Sequence, residues 1–353
     1  MARGDVKHPS GLVIRRTNLA RARPPRWAWD KRLVLGYLNL LIGQEGIGKG
    51  TLVAWIAARL TRGTLPGDLE GTPRKVALIG DEDSYDHIWT PRLKVAGADT
   101  QLVEQIKAGT DGTLDVSTDA DALSEYVATE RVALVYFDQL LDNLGFTDSW
   151  KDKQVRDALA PLRKVVDATG AAVLASMHPN KRGGSFRDRI SGTAAFNAMS
   201  RSSLYVAPHP TEPGRTVVVR AKGNYSVEPA AFEFRIEEQA LTLGRGKKQR
   251  ILPTSRITAE RETDIRADEL LEADGRGRRR DETSKAGLAR GLLSEMFADG
   301  KKHRVRRVQH QLQREHGLGP RVVTRAATEL GFEKTQEGFP GVWFWRAPGG
   351  DQR

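Results

Sequence analysis

The stretch Gly43-Gln44-Glu45-Gly46-Ile47-Gly48-Lys49-Gly50-Thr51 constrains this chain more than any other. The apolar run 37–42 before it reads as a buried strand, and 51–60 after it has apolar residues at helical spacing. Strand, glycine-rich turn and helix in succession are the setting of a phosphate-binding P-loop. The glycines let the backbone curl until its N–H groups converge on an anion. The helix N-terminus adds partial positive charge at the same point, and Lys49 can reach the outer phosphates. All nine residues from Gly43 to Thr51 are therefore expected to bind nucleotide. One position departs from the pattern. Gly50 stands where Ser or Thr ordinarily holds Mg2+, so Thr51 is the expected metal ligand.

Acidic and polar residues follow at the ends of the next apolar runs. The strand 75–79 leads into Gly80-Asp81-Glu82-Asp83-Ser84. Hydrolysis needs a carboxylate to orient and deprotonate water, and Glu82 is the candidate. Asp81, Asp83 and Ser84 also suit capping of the next helix. The strand 131–137 ends at Asp138, the Walker B position, which suits a magnesium water shell. Gln139 follows and is a candidate γ-phosphate sensor. Residues 152–169 form an amphipathic helix that Gly170 stops. The strand 171–177 then ends at His178, a second sensor candidate by position. The loop 179–192 holds Lys181, Arg182, Arg187 and Arg189 among glycines, a composition suited to tracking a nucleic-acid backbone or to a solvated surface loop. Arg201 opens the strand 202–206, and Lys222 closes the strand 215–222.

Composition narrows the class. The chain of 353 residues is long enough for a large domain and a smaller one, and it has no cysteine, which excludes disulfide frameworks and cysteine metal sites. No apolar run reaches membrane-spanning length and no secretory leader is legible, so a cytoplasmic protein without a membrane partner is expected. Of the net +11, residues 1–30 carry +5 and 245–353 carry +8, which leaves −2 between them. Basic ends around a nearly neutral centre suggest a polyanion gripped from the ends.

The set Gly43–Thr51, Gly80-Asp-Glu82-Asp83-Ser, Phe137-Asp138, His178-x-x-Lys181, Gly192-Thr-Ala-Ala-Phe with Arg201, and Ala221-Lys222-Gly-Asn224 resembles a known group. It is similar to the RepA-like branch of RecA/DnaB-type ATPases, the hexameric replicative helicases of plasmids and phages, over roughly residues 25–240. The resemblance implies an α/β RecA-like core with a mainly parallel sheet and a ring that binds ATP and Mg2+ between subunits. It implies that Glu82 is the catalytic base and that Arg201 reaches into a neighbour's site, assisted by Lys222, with Lys181 a further sensor or trans residue. Asp81 is a competitor to Glu82 in the acidic run.

The expected division is a basic arm at 1–25, an ATPase domain at 26–244, a charged linker at 245–283 and a small domain at 284–348. Within the last, helices at 286–297, 305–316 and 321–330 and strands at 332–336 and 342–346 resemble a winged helix. Arg321 and Arg325 on its third helix are the expected DNA contacts. The functional expectation is an ATP-hydrolysing motor on single-stranded or forked DNA in replication, assembled as a homo-hexamer or other ring. The alternatives are an ATP-switched recombination mediator or loader without unwinding activity, and a nucleotide kinase suggested by Gly-Lys-Gly-Thr.

Overall fold

The computed structural model describes residues 5–7, 10, 13–15, 22–80, 82–107, 114–144, 152–179, 194–244, 249–338 and 341–348. Asp81, Lys181, Arg182, Arg187 and Arg189 lie outside the described residues. The chain divides into two compact units, Met1–Leu270 and Leu271–Arg353.

The first unit opens with an antiparallel pair, β1 (Asp5–Lys7) and β2 (Val13–Arg15), in the stretch expected to be a basic arm. A second pair follows, β3 (Trp27–Trp29) with β4 (Leu33–Val34). Six strands then form the parallel part of one sheet. They are β5 (Leu38–Gly43), β6 (Lys75–Ile79), β7 (Val103–Ile106), β8 (Val132–Phe137), β9 (Ala172–Met177) and β10 (Ser202–Pro208). Their order is β10-β5-β9-β8-β6-β7, which puts the strand before the P-loop between two neighbours. Every residue of β5, β8 and β9 is buried, as expected for parallel strands covered on both faces.

The crossovers are helical. Lys49–Arg62 is α1, and a π turn at Tyr85–Trp89 leads into α2 (Thr90–Val95). Three more helices follow, α3 (Val116–Thr129), α4 (Asp152–Thr169) and α5 (Ala194–Met199). Ten of the fourteen residues of α1 are buried, so the P-loop helix is itself core. Trp29 meets Trp55 of α1 at 5.5 Å between ring centroids and Phe232 at 5.2 Å. Trp27 and Trp29 are thus core residues that tie the lead-in to the P-loop helix.

Beyond β10 the sheet turns antiparallel through β11 (Arg215–Gly223), β12 (Ala231–Leu243) and β13 (Arg250–Thr263). This corrects the reading of 245–283 as a linker. Its first part is the edge strand of the sheet, and its second part lies in α6 (Ala267–Met296). Most of β13 is exposed, with Ile257 its one fully buried residue. Its order comes from backbone pairing with β12, not from an apolar face. A charged edge strand carrying Pro253 fits the way sheets guard a free edge.

The second unit contains the rest of α6, then β14 (His303–Arg304), α7 (Val305–His316), α8 (Pro320–Glu329), β15 (Glu333–Glu337) and β16 (Val342–Arg346). The strands form an antiparallel sheet in the order β14-β16-β15. Leu293, Phe297, Val308, Leu312, Val323 and Trp345 share its core. The helix expected to begin at 286 starts at Ala267 and runs through the arginine-rich stretch 276–280. No helix of the described residues is long and apolar enough to cross a membrane.

Removing the Trp29 ring leaves a void between β3, α1 and β12. Trp29→Ala is expected to destabilise the first unit by about 3–5 kcal/mol, read from the denaturant midpoint of its unfolding.

Candidate nucleotide site

The turn between β5 and α1 is shaped by its glycines. Gly48 caps the helix at φ 97, in the left-handed region, and a Cβ there would overlap Ile236 of β12. The position therefore needs glycine for its conformation, and any side chain would also displace the tip of Ile236. Lys49 follows, and its Nζ donates to the carbonyl oxygens of Gly43 at 2.9 Å and Gln44 at 3.0 Å. Burial holds the Lys49 ammonium below its usual range, while Asp138, Glu82 and Glu45 act in the opposite direction.

The carboxyl ends of β6, β8 and β9 bring the polar residues to the same cleft. Burial pushes the Asp138 carboxyl up, opposed by hydroxyl donors and reinforced by Glu82 and Asp83. Ser176 and Tyr136 supply those hydroxyls, each donating to Oδ1 at 2.9 Å. The other carboxylate oxygen has no such bond among the described residues. Gln139 Nε2 donates to Glu82 Oε2 at 2.8 Å and lies 3.2 Å from His178 Nε2. An amide nitrogen only donates, so His178 Nε2 accepts. Glu82, Gln139 and His178 thus form one hydrogen-bonded row from three different strand ends. Ser84 caps the π turn by accepting from His87 N, while Asp83 pairs with Arg92 at 3.1 Å.

The P-loop from Glu45 to Thr51, Ile47 excepted, and the strand-end residues border one cavity of about 380 Å3. Lys49, Glu82, Asp138, Gln139 and His178 all line it. Thr51 also lines it, but its hydroxyl lies 3.2 Å from Ser255 Oγ of β13 and is engaged there. Sequence reasoning missed Arg92, Ser176, Ile236 and Ser255. Ser176 sits inside an apolar run, and the last two come from strands far along the chain, so no local signal pointed to them. The donor set fits a magnesium nucleotide. Backbone amides and an ammonium suit phosphate oxygens, and carboxylate oxygens suit a hard cation.

Arg201 and Lys222 are not part of this cleft. Arg201 precedes β10, whose first residue, Ser202, pairs with Asn39 near the start of β5. Asn39 to Gly43 spans about 13 Å of extended strand, beyond an arginine's reach to its own P-loop. Arg201 donates to Ala198 O at 3.1 Å and to the Tyr225 hydroxyl at 3.2 Å. It lines a second cavity of about 400 Å3 with Tyr37, Arg156, Leu159, Leu162 and Arg163. Lys222 lies on the same edge, donating to Ser200 O at 2.8 Å and to the Asn197 carbonyl. Burial first, then the charge of Arg201, lowers its pKa. In the second unit, Arg321 and Arg325 are exposed on α8, and Arg325 pairs with Glu329 at 2.9 Å.

A family model described as an AAA domain matches residues 6–184, just over half of the sequence. The chain belongs to this family. The match contains the P-loop, Glu82, Asp138 and His178, and it ends before Arg201, Lys222 and the β12–β13 hairpin. The match supports a P-loop ATPase, a class that typically binds nucleotide with Mg2+, and it contains most of the residues that line the first cavity. No curated protein matches the chain.

Asp138 gives a pH test. Its folded pKa is raised, so its ionised form costs stability, and that cost appears as pH rises from its unfolded value through its folded one. Asp138→Asn keeps an acceptor for Ser176 and Tyr136. The variant is expected to melt above the wild type at neutral pH, with the gap closing as pH falls below the ordinary aspartate range. Thermal melts across that range check it.

Proposed function

We propose that this chain is an ATP-driven translocase on single-stranded or forked DNA, working as a ring of identical subunits in the manner of a replicative helicase. The observation that carries this reading is the position of Arg201 and Lys222. Two cations beside one another, at the edge of the sheet away from their own cavity, have the right chemistry for a neighbour's phosphates. A head-to-tail ring brings such an edge against the next subunit's cleft.

In this reading Glu82 takes the proton of the attacking water, and Gln139 and His178 hold that water in line. Arg201 of the next subunit neutralises charge developing on the transferred phosphoryl group, an effect worth 10³–10⁵ in roughly comparable systems. Asp138 and Thr51 would hold the magnesium ion, which supplies charge neutralisation at the phosphate oxygens. DNA contact falls to the basic loop with Arg182, Arg187 and Arg189, and to α8 with Arg321 and Arg325. The three helices and small sheet of the second unit fit a winged helix, whose third helix enters a major groove. A cytoplasmic hexamer is the assembly and location this function implies.

A second reading, an ATP-switched loader that binds DNA without unwinding, is favoured by one observation. Gly50 lacks the usual metal hydroxyl, and that of Thr51 is engaged with Ser255. Slow hydrolysis would suit a switch better than a motor.

Two measurements test the motor. Hydrolysis is expected to rise severalfold on adding single-stranded DNA, with displacement of a strand from a forked duplex; equal rates with and without DNA would overturn the motor. Lys49→Ala and Arg201→Ala subunits are each expected to be inactive alone. Mixed, they are expected to regain hydrolysis at sites that pair an intact P-loop with an intact arginine. A mixture no more active than its parts would remove Arg201 from the neighbour's site.

A further inference from the structure

We propose that Arg92 is a phosphate-binding residue, seated in the space that Gly50 leaves open. This rests on reading the first cavity as a nucleotide site. A Cβ added at Gly50 would lie 2.6 Å from Arg92 Nη1 and 3.8 Å from the Trp89 ring. The guanidinium thus occupies the place where the usual Ser or Thr side chain would begin.

The seat is built. Trp89 is buried, and its ring lies under the guanidinium at 5.5 Å from the centroid. Asp83 accepts from Nη1 at 3.1 Å and fixes the fork from one side. The Arg92 side chain is 18% exposed and lines the same cavity as Lys49 and Asp138. Its Nε is buried and has no hydrogen-bond partner among the described residues. A guanidinium carries five donors and no acceptor, so the contact with Asp83 leaves most of its capacity unused. An anionic oxygen is the acceptor whose charge matches the donors that Asp83 leaves unused. A polyphosphate held by the P-loop brings such oxygens into this cavity.

The departure at residue 50 then has a physical reading. The chain gives up a hydroxyl that would bind magnesium and gains a fixed cation beside the first turn of α1. Lys49 and Arg92 together offset phosphate charge that a P-loop with the usual hydroxyl leaves more fully to the metal. Nucleotide affinity should consequently depend less on magnesium than in such a P-loop, and residues 50 and 92 should act as one unit.

Equilibrium binding of a fluorescent ATP analogue to the full chain, with magnesium and with chelator, tests this. Arg92→Ala is expected to weaken binding about tenfold or more in both conditions, the scale of a charge-assisted contact to phosphate. Gly50→Ala adds only a methyl group, and the atom it displaces is the tip of a flexible side chain. It is expected to weaken binding to a similar degree while melting no earlier than the wild type, since alanine favours a helix over glycine. The double variant is expected to lose no more than Arg92→Ala alone. Wild-type affinity in Arg92→Ala, beside lost binding in Lys49→Ala, overturns the proposal and leaves the nucleotide site standing. Fully multiplicative losses in the double variant also overturn it. A wild type that binds no ATP overturns the nucleotide reading itself.

Discussion

Lys49 and Asp138 share one partly buried cleft, and the site depends on keeping both charged there. Burial pushes each toward its neutral form, while the charge of Asp138 acts to keep the lysine protonated. The hydroxyls of Tyr136 and Ser176 act to keep the carboxylate ionised. Groups desolvated in this way are held by surrounding order, because in water neither would give up its hydration. That order is the parallel sheet. Its strand ends set Asp138, Gln139, His178 and Glu82 around the turn that Gly48 makes possible, and buried runs on both faces keep those ends in register.

Much of this was legible because it is local. An apolar run followed by a polar residue marks a buried strand and its exit, and that pattern located Glu82, Asp138, Gln139 and His178. The helix 152–169 emerged with the bounds the sequence suggested, since its periodicity and Gly170 both mark it. What escaped was contact between distant segments. Ile236 and Ser255 reach the P-loop only because β12 and β13 extend the sheet past β10. Arg92 looked like an ordinary helix residue, and its position against Gly50 depends on the π turn that precedes α2. The strand β13 was missed for a related reason. Its side chains are mostly charged and exposed, so composition suggested a linker where backbone pairing makes a strand.

Two clusters of positive charge answer different demands in the first unit. Lys49 and Arg92 lie at the carboxyl edge of the sheet, where the strands deliver carboxylates to balance them. Arg201 and Lys222 lie at the opposite edge, where the nearest partners are backbone carbonyls and a tyrosine hydroxyl. Carbonyl groups orient a cation without neutralising it. A guanidinium held that way keeps its charge available to an incoming anion, which gives the second edge an electrostatic character quite unlike the first.

The sheet also sets where the polypeptide can be divided. The family match stops at residue 184, before β10 begins. A fragment cut there would turn β5 from an interior strand into a margin, with its backbone amides and carbonyls along one side left to solvent or to another molecule's strand. The loop that grips phosphate hangs from that strand. Sequence similarity and mechanical integrity therefore end at different residues, and a piece that keeps β5 interior has to include β10, which closes at Pro208.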